Sequence, residues 1–169
     1  PARNLVALPP SLPDEKAVFA EPLAAALEIQ TQVDLNPSDP VLVVGDGRLG
    51  LLIAMSLTAS GYPVKLLGRH PERLHHLKNT QIDFLSKPPL QRLPIVIEAT
   101  GNPEGFHTAL SSTAPRGTLV LKSTYAAPLS FNAAPLVVDE ITLVGSRCGP
   151  MGDAVTLLDA GTVDPTPFI

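Results

Sequence analysis

The sequence predicts an α/β fold in which a parallel sheet carries helices on both faces. Three observations predict it. Val41-Leu42-Val43-Val44 is a continuous apolar run, the pattern of a strand buried on both sides. A glycine turn, Gly45-Asp46-Gly47-Arg48-Leu49-Gly50, follows at once and opens an apolar helical stretch. Beyond it, strand-like and helix-like segments alternate through the rest of the chain.

The elements are expected in this order. Residues 1–35 form an extended lead-in and hinge helices, and residues 40–169 a doubly wound core. Asp14-Glu15-Lys16 opens a helical stretch, with Asp14 placed to cap it. Apolar positions continue to Ile29, but Pro22 lies inside, so two short helices and one kinked helix are both compatible. After the Val41–Val44 strand, Leu49 to Ser60 reads as a helix closed by Gly61. Val64 to Leu67 is a second strand, and Pro71 opens a second core helix to about Lys78. Ile82–Leu85, Ile95–Ala99, Gly117–Lys122 and Glu140–Val144 are the remaining strands. Pro103 to Ser112 and Met151 to Ala160 are helices. Right-handed crossovers then give a six-stranded parallel sheet of order 3-2-1-4-5-6.

A chain of 169 residues suits a single domain, and 44% apolar residues supply its core. The net charge of -4 argues against a nucleic-acid surface, so any phosphate recognition must be local. No apolar run reaches membrane-spanning length, and the opening residues show no secretory pattern. Cys148 is the only cysteine, which excludes an internal disulfide and a several-thiolate zinc site and suits a reduced, cytoplasmic setting. The four histidines lack ligand spacing. Pro1 and the unfinished run to Ile169 suggest a piece of a longer protein.

The glycine turn has the context that dinucleotide binding needs, a buried strand before it and a helix after it. Gly45 permits the tight turn, Gly47 leaves room for a pyrophosphate, and Gly50 lets helix and strand pack closely. The amides of the first helical turn, Arg48 and Leu49 among them, face the phosphates. Arg48 either contacts phosphate or is solvated. Asp46 beside a pyrophosphate is tolerable only if its side chain points to solvent. The expected fold is thus a Rossmann fold.

The end of the second strand selects the cofactor. An acid there bonds the ribose hydroxyls in NAD-binding forms. This chain has Gly68 instead, followed by Arg69 and His70. Glycine makes room for a 2′-phosphate and arginine offers a charged fork for it. NADP is therefore favoured over NAD, with Arg73 as a second contact if the loop folds back. His70 either stacks on adenine or lies at the surface.

Ligands in such sheets sit beyond the carboxyl ends of the strands. Thr100 and Gly101 are expected towards the adenosine, and Ser123, Thr124, Ser146 and Arg147 towards the nicotinamide. Lys122 and Cys148 are weaker candidates.

Several stretches together resemble the cofactor domain of the medium-chain dehydrogenase/reductase family, the zinc-type alcohol dehydrogenases. They are EPLAAAL from Glu21, VLVVGDGRLGLL from Val41, GRHPERL from Gly68, IEATGNP from Ile97 and VGSRCG from Val144. The resemblance covers nearly the whole chain. It implies a separate GroES-like domain, absent from this chain, that carries the catalytic zinc and most substrate contacts. Pro1 to Leu8 resembles the last strand of that domain. The parent enzyme is then expected to move hydride between an alcohol or polyol and NAD(P), and the chain alone to be inactive. Glu21 stands where family members place an acid near the catalytic zinc. The sixth strand stands where they often pair as dimers. The alternatives are a non-catalytic nucleotide-sensing Rossmann module and a methyltransferase using S-adenosylmethionine. The methyltransferase wants an acid at the second strand end, where Gly68 stands.

Overall fold

The computed structural model describes residues 5–76 and 81–166. The strands are β1 (Val41–Val44), β2 (Val64–Leu67), β3 (Ile82–Leu85), β4 (Leu93–Glu98), β5 (Thr113–Leu121) and β6 (Thr142–Gly145). They form one parallel sheet of order β3-β2-β1-β4-β5-β6. That is the predicted fold and the predicted order. The helices are α1 (Asp14–Ala17), α2 (Ala20–Gln32), α3 (Arg48–Ala59), α4 (Pro103–Ser112), α5 (Ala134–Val138) and α6 (Met151–Asp159).

The β1 residues explain the continuous apolar run. Val41 and Val43 enter one core with α2, α3 and α6, while Leu42 and Val44 enter a second core with α4. All four are buried, because each face of the strand is covered by helices. Phe106 of α4 is fully buried in the second core and meets Phe131 edge-on, with ring centroids 4.7 Å apart.

The stretch around Pro22 is two helices. Pro22 lies in the first turn of α2, where a missing N–H breaks no intrahelical bond. Asp14 does not cap α1. Pro13 holds the cap position and no side chain bonds the free amides there. Gly61 follows α3 with φ +86°, the left-handed stop that glycine permits. The segment opened by Pro71 is a 3-10 helix over Pro71–His76 rather than an α-helix, and the expected end at Lys78 lies outside the described residues. Leu5 to Leu8 form no strand, and residues 1–4 of that expected strand are not described.

Three features of the second half differ from expectation, the first being that β6 begins at Thr142 rather than Glu140, whose φ is +53°. β5 begins at Thr113, four residues before Gly117, and its pairing with β4 shifts register between Leu93 and Ile95. Arg116 takes φ +60° there, and the side chain of Arg92 holds Thr113 O and Asp139. The five-residue helix α5 was not expected.

Candidate functional site

The strand ends, the glycine turn and the start of α3 converge at the carboxyl edge of the sheet. Gly45 has φ +117°, and a Cβ there would stand 2.8 Å from Ala99 O of the neighbouring strand end. A Cβ on Gly50 would overlap Gly45 O, so α3 starts against the turn only because position 50 has no side chain. Gly47 faces open space and holds the N-cap position of α3 without a side-chain cap. The first amides of α3 are left for a ligand anion at the positive end of the helix.

Two cavities flank this turn. One, of about 400 Å³, is lined by Gly45, Asp46, Gly47, Gly68, Arg69, His70, Arg73 and Thr100, together with Ser86 and Glu104. The other, of about 370 Å³, is lined by Leu49, Lys122, Ser123, Thr124, Ser146 and Arg147 with Ala25. The expected adenosine-side and nicotinamide-side residues thus fall into two separate groups. Gly101, at φ +74°, lines neither and donates its N–H to Ser123 Oγ at 2.8 Å. Arg48 is exposed at the first position of α3, and Gly50 is buried.

Asp46 does not point to solvent. It is 8% exposed and turns away from the helix start towards the end of β2. Its Oδ2 accepts the N–H groups of Arg69 at 2.8 Å and His70 at 2.6 Å, and lies 3.1 Å from His70 Nδ1. Burial pushes its pKa up, but the amides of His70 and Arg69 and the His70 ring outweigh it and hold the carboxyl below its ordinary range. The room above Gly68 is therefore not vacant. A Cβ on Gly68 would stand 2.5 Å from Asp46 Oδ2. Arg73 does fold back, donating to Asp46 O at 2.7 Å. Arg69 reaches outward, its side chain 75% exposed and 3.4 Å from Glu104.

Glu98 and Tyr125 escaped the sequence reading, and Lys122 stood there only as a weaker candidate. Glu98, fully buried at the end of β4, accepts the N–H and the hydroxyl of Thr100, each at 2.6 Å. Its other oxygen accepts the Tyr125 hydroxyl at 2.7 Å. Burial first, then the bond to Glu98 and its charge, push the Tyr125 pKa up, so the phenol stays protonated. Asn102 caps α4, accepting from Gly105 N at 2.8 Å, a role that its place before Pro103 signals. Lys122 is buried, and its ammonium bonds Ala25 O at 2.6 Å, Ser146 Oγ at 3.0 Å and Arg147 O at 3.2 Å. Burial lowers its pKa, against the charges of Glu28, Cys148 and Glu21. Glu21 itself is exposed in the first turn of α2.

An uncapped helix after a glycine turn, between two cavities at the carboxyl edge of a 3-2-1-4-5-6 sheet, defines a dinucleotide-binding domain of the Rossmann class. The family described as zinc-binding dehydrogenase matches residues 49–160. The chain belongs to that family. It is 33% identical over 118 residues to L-threonine 3-dehydrogenase of Rhizobium rhizogenes, covering 68% of this chain and 34% of that protein. It is 28% identical over 174 residues to L-idonate 5-dehydrogenase (NAD(P)(+)) of Escherichia coli, covering 95% of this chain and 51% of the other. The crystal structure of L-idonate 5-dehydrogenase from that species superposes with a TM-score of 0.84 at 26% identity, covering 96% of this chain and 51% of that one. A zinc-binding dehydrogenase from Sinorhizobium meliloti bound to NADP shares the fold, with a TM-score of 0.83 at 20% identity over 97% of this chain and 54% of the other. The chain spans about half the length of L-idonate 5-dehydrogenase and about a third of the threonine dehydrogenase.

The family name implies zinc. Among the described residues no group of three or more His, Cys, Asp or Glu side chains is placed to hold a metal ion. The described residues thus do not build a zinc site. They do fit a dinucleotide, because Gly47 leaves open space beside the uncapped start of α3.

Proposed function

We propose that this chain binds a nicotinamide dinucleotide, NADP(H) in preference to NAD(H), as the cofactor domain of an alcohol or polyol dehydrogenase. The observation that carries the reading is the glycine turn opening on uncapped amides between two cavities. Gly45, Gly47, Arg48, Leu49 and Gly50 take the pyrophosphate. Thr100 and His70 flank the adenosine side, and Ser123, Thr124, Ser146 and Arg147 the nicotinamide side. A bound nicotinamide supplies the hydride chemistry; the chain supplies binding and orientation. A GroES-like domain outside this chain would carry zinc and most substrate contacts, as the relatives' share of unmatched length supports.

The NADP preference rests on position 68 lacking an acid and on the outward guanidinium of Arg69. Its pairing with Glu104 is a surface contact of small energy and yields readily to a phosphate. The open edge of β6, with Leu143 40% exposed, supports a homodimer through that edge. The single exposed thiol of Cys148 suits a reduced, cytoplasmic setting.

Titration calorimetry with NADPH and NADH tests the reading. NADPH should bind more tightly, and Arg69→Ala should weaken NADPH by about 10- to 100-fold while NADH changes little, the size of one charge-assisted contact. Equal weakening of both cofactors removes Arg69 as the 2′-phosphate reader.

A further inference from the structure

The end of β2 presents a set of donors that converge on one point. The amides of Arg69 and His70 both reach Asp46 Oδ2, at 2.8 and 2.6 Å. His70 Nδ1 lies 3.1 Å from that oxygen and 3.3 Å from Oδ1. The Arg73 guanidinium stands 3.9 Å from Oδ1 while it holds the Asp46 carbonyl. Consecutive amides backed by an imidazole and a guanidinium are a donor set of the kind that takes phosphate oxygens. Here a side chain of the protein itself takes them, delivered from the glycine turn across the end of the sheet. The carboxylate fills the space that a side chain at position 68 would use.

We propose that these donors form an anion-binding nest which Asp46 occupies from within, and that this occupancy limits how tightly the chain takes a 2′-phosphorylated cofactor. The proposal rests on the dinucleotide reading above and assigns Asp46 as a specificity-determining residue. While the carboxylate sits in the nest, a 2′-phosphate is excluded from the two amides. It must rest on the outward Arg69 side chain, and it also meets the fixed negative charge of Asp46 within the same cavity. Glu104, 3.4 Å from Arg69, adds a second negative charge on that rim. The adenosine of a non-phosphorylated cofactor meets neither penalty.

Asp46→Asn separates charge from structure. The amide oxygen of Asn still accepts from both backbone N–H groups, as Oδ2 does now, while the charge is gone. Binding of NADPH to the full chain should then tighten about tenfold, the scale of one like-charge pair near a protein surface, with NADH unchanged within about twofold. Asp46→Ser, which withdraws the carboxylate altogether, should raise the NADPH to NADH ratio at least as far. It should also gain a rise in melting temperature on adding inorganic phosphate, larger than the wild-type rise. A purely structural role for Asp46 lowers the affinity of both cofactors together and leaves their ratio fixed, and that result overturns the proposal. The phosphate measurement needs no dinucleotide: if neither cofactor binds, the function proposed above falls. A phosphate response in Asp46→Ser that is no greater than in wild type overturns the nest. Arg69→Ala, measured alongside, reports on the Arg69 reading separately, because a raised ratio in Asp46→Asn stands whether or not Arg69 contacts the phosphate.

Discussion

The usual way to give such a domain an NAD-type ribose site is to place an acid at the end of β2, and in this chain even the first carbon of that side chain is obstructed. Gly68→Ala isolates the obstruction. Its φ lies outside the left-handed region, so the backbone accepts alanine without strain. The added Cβ, however, would stand 2.4 Å from Asp46 Cγ and 2.5 Å from both its Cβ and its Oδ2. The carboxylate must leave, and it leaves behind its bonds from the Arg69 and His70 amides. Each hydrogen bond to a charged group contributes about 1.5–3 kcal/mol, so two at the lower bound give a destabilisation of about 3 kcal/mol. For a domain of this size that is a fall in Tm of about 6–12 °C. Denaturant unfolding of wild type, Gly68→Ala, Asp46→Gly and the double variant measures the coupling. Once Asp46 is glycine, with neither carboxylate nor Cβ over position 68, Gly68→Ala should cost less than about 1 kcal/mol, the level of a surface substitution. If Gly68→Ala costs the same in both backgrounds, Asp46 does not fill the space above Gly68 and the account of this turn is wrong.

Two further outcomes follow from the buried charges. Asp46 has a folded pKa held below its ordinary value of 3.8, so the stability it contributes is complete above that value and is lost as pH falls through the lower, folded one. The stability gap between wild type and Asp46→Asn should therefore be widest near neutral pH and close in acid below about pH 4, read by denaturant melts across pH; a gap that widens in acid contradicts the assignment. Lys122→Met removes the ammonium that ties Ala25 of α2 to Ser146 and Arg147 after β6, and takes this donor from the buried Ser146 hydroxyl and the part-buried Ala25 and Arg147 carbonyls. A loss of about 2–4 kcal/mol in denaturant unfolding is expected, and a neutral result removes the lysine as the tie between these segments.

What was legible in the sequence was whatever depends on neighbours in the chain. The β1 run is apolar at every position because its residues alternate between two cores, and that leaves a local pattern. Gly45, Gly50 and Gly61 are set by contacts or backbone angles within a few residues of themselves, apart from Ala99, and their roles were readable. α5 was not readable, because five residues carry too little periodicity to stand out from a loop. The early start of β5 depends on Arg92 and Asp139, which bring residues 21 and 47 apart in sequence together. Asp46 is the sharpest case. By sequence it is a carboxylate beside a phosphate site, and the local argument sends it to solvent. Its partners lie 23 and 24 residues away at the end of the next strand, and they are backbone amides, which leave no mark on residue identity. The one sequence trace of the arrangement is the glycine at 68. By sequence its absent side chain is room for the ligand, whereas the fold uses that room for the protein's own carboxylate. A glycine at a strand end thus bounds what a ligand can occupy only after every charged side chain within reach of that end has been placed.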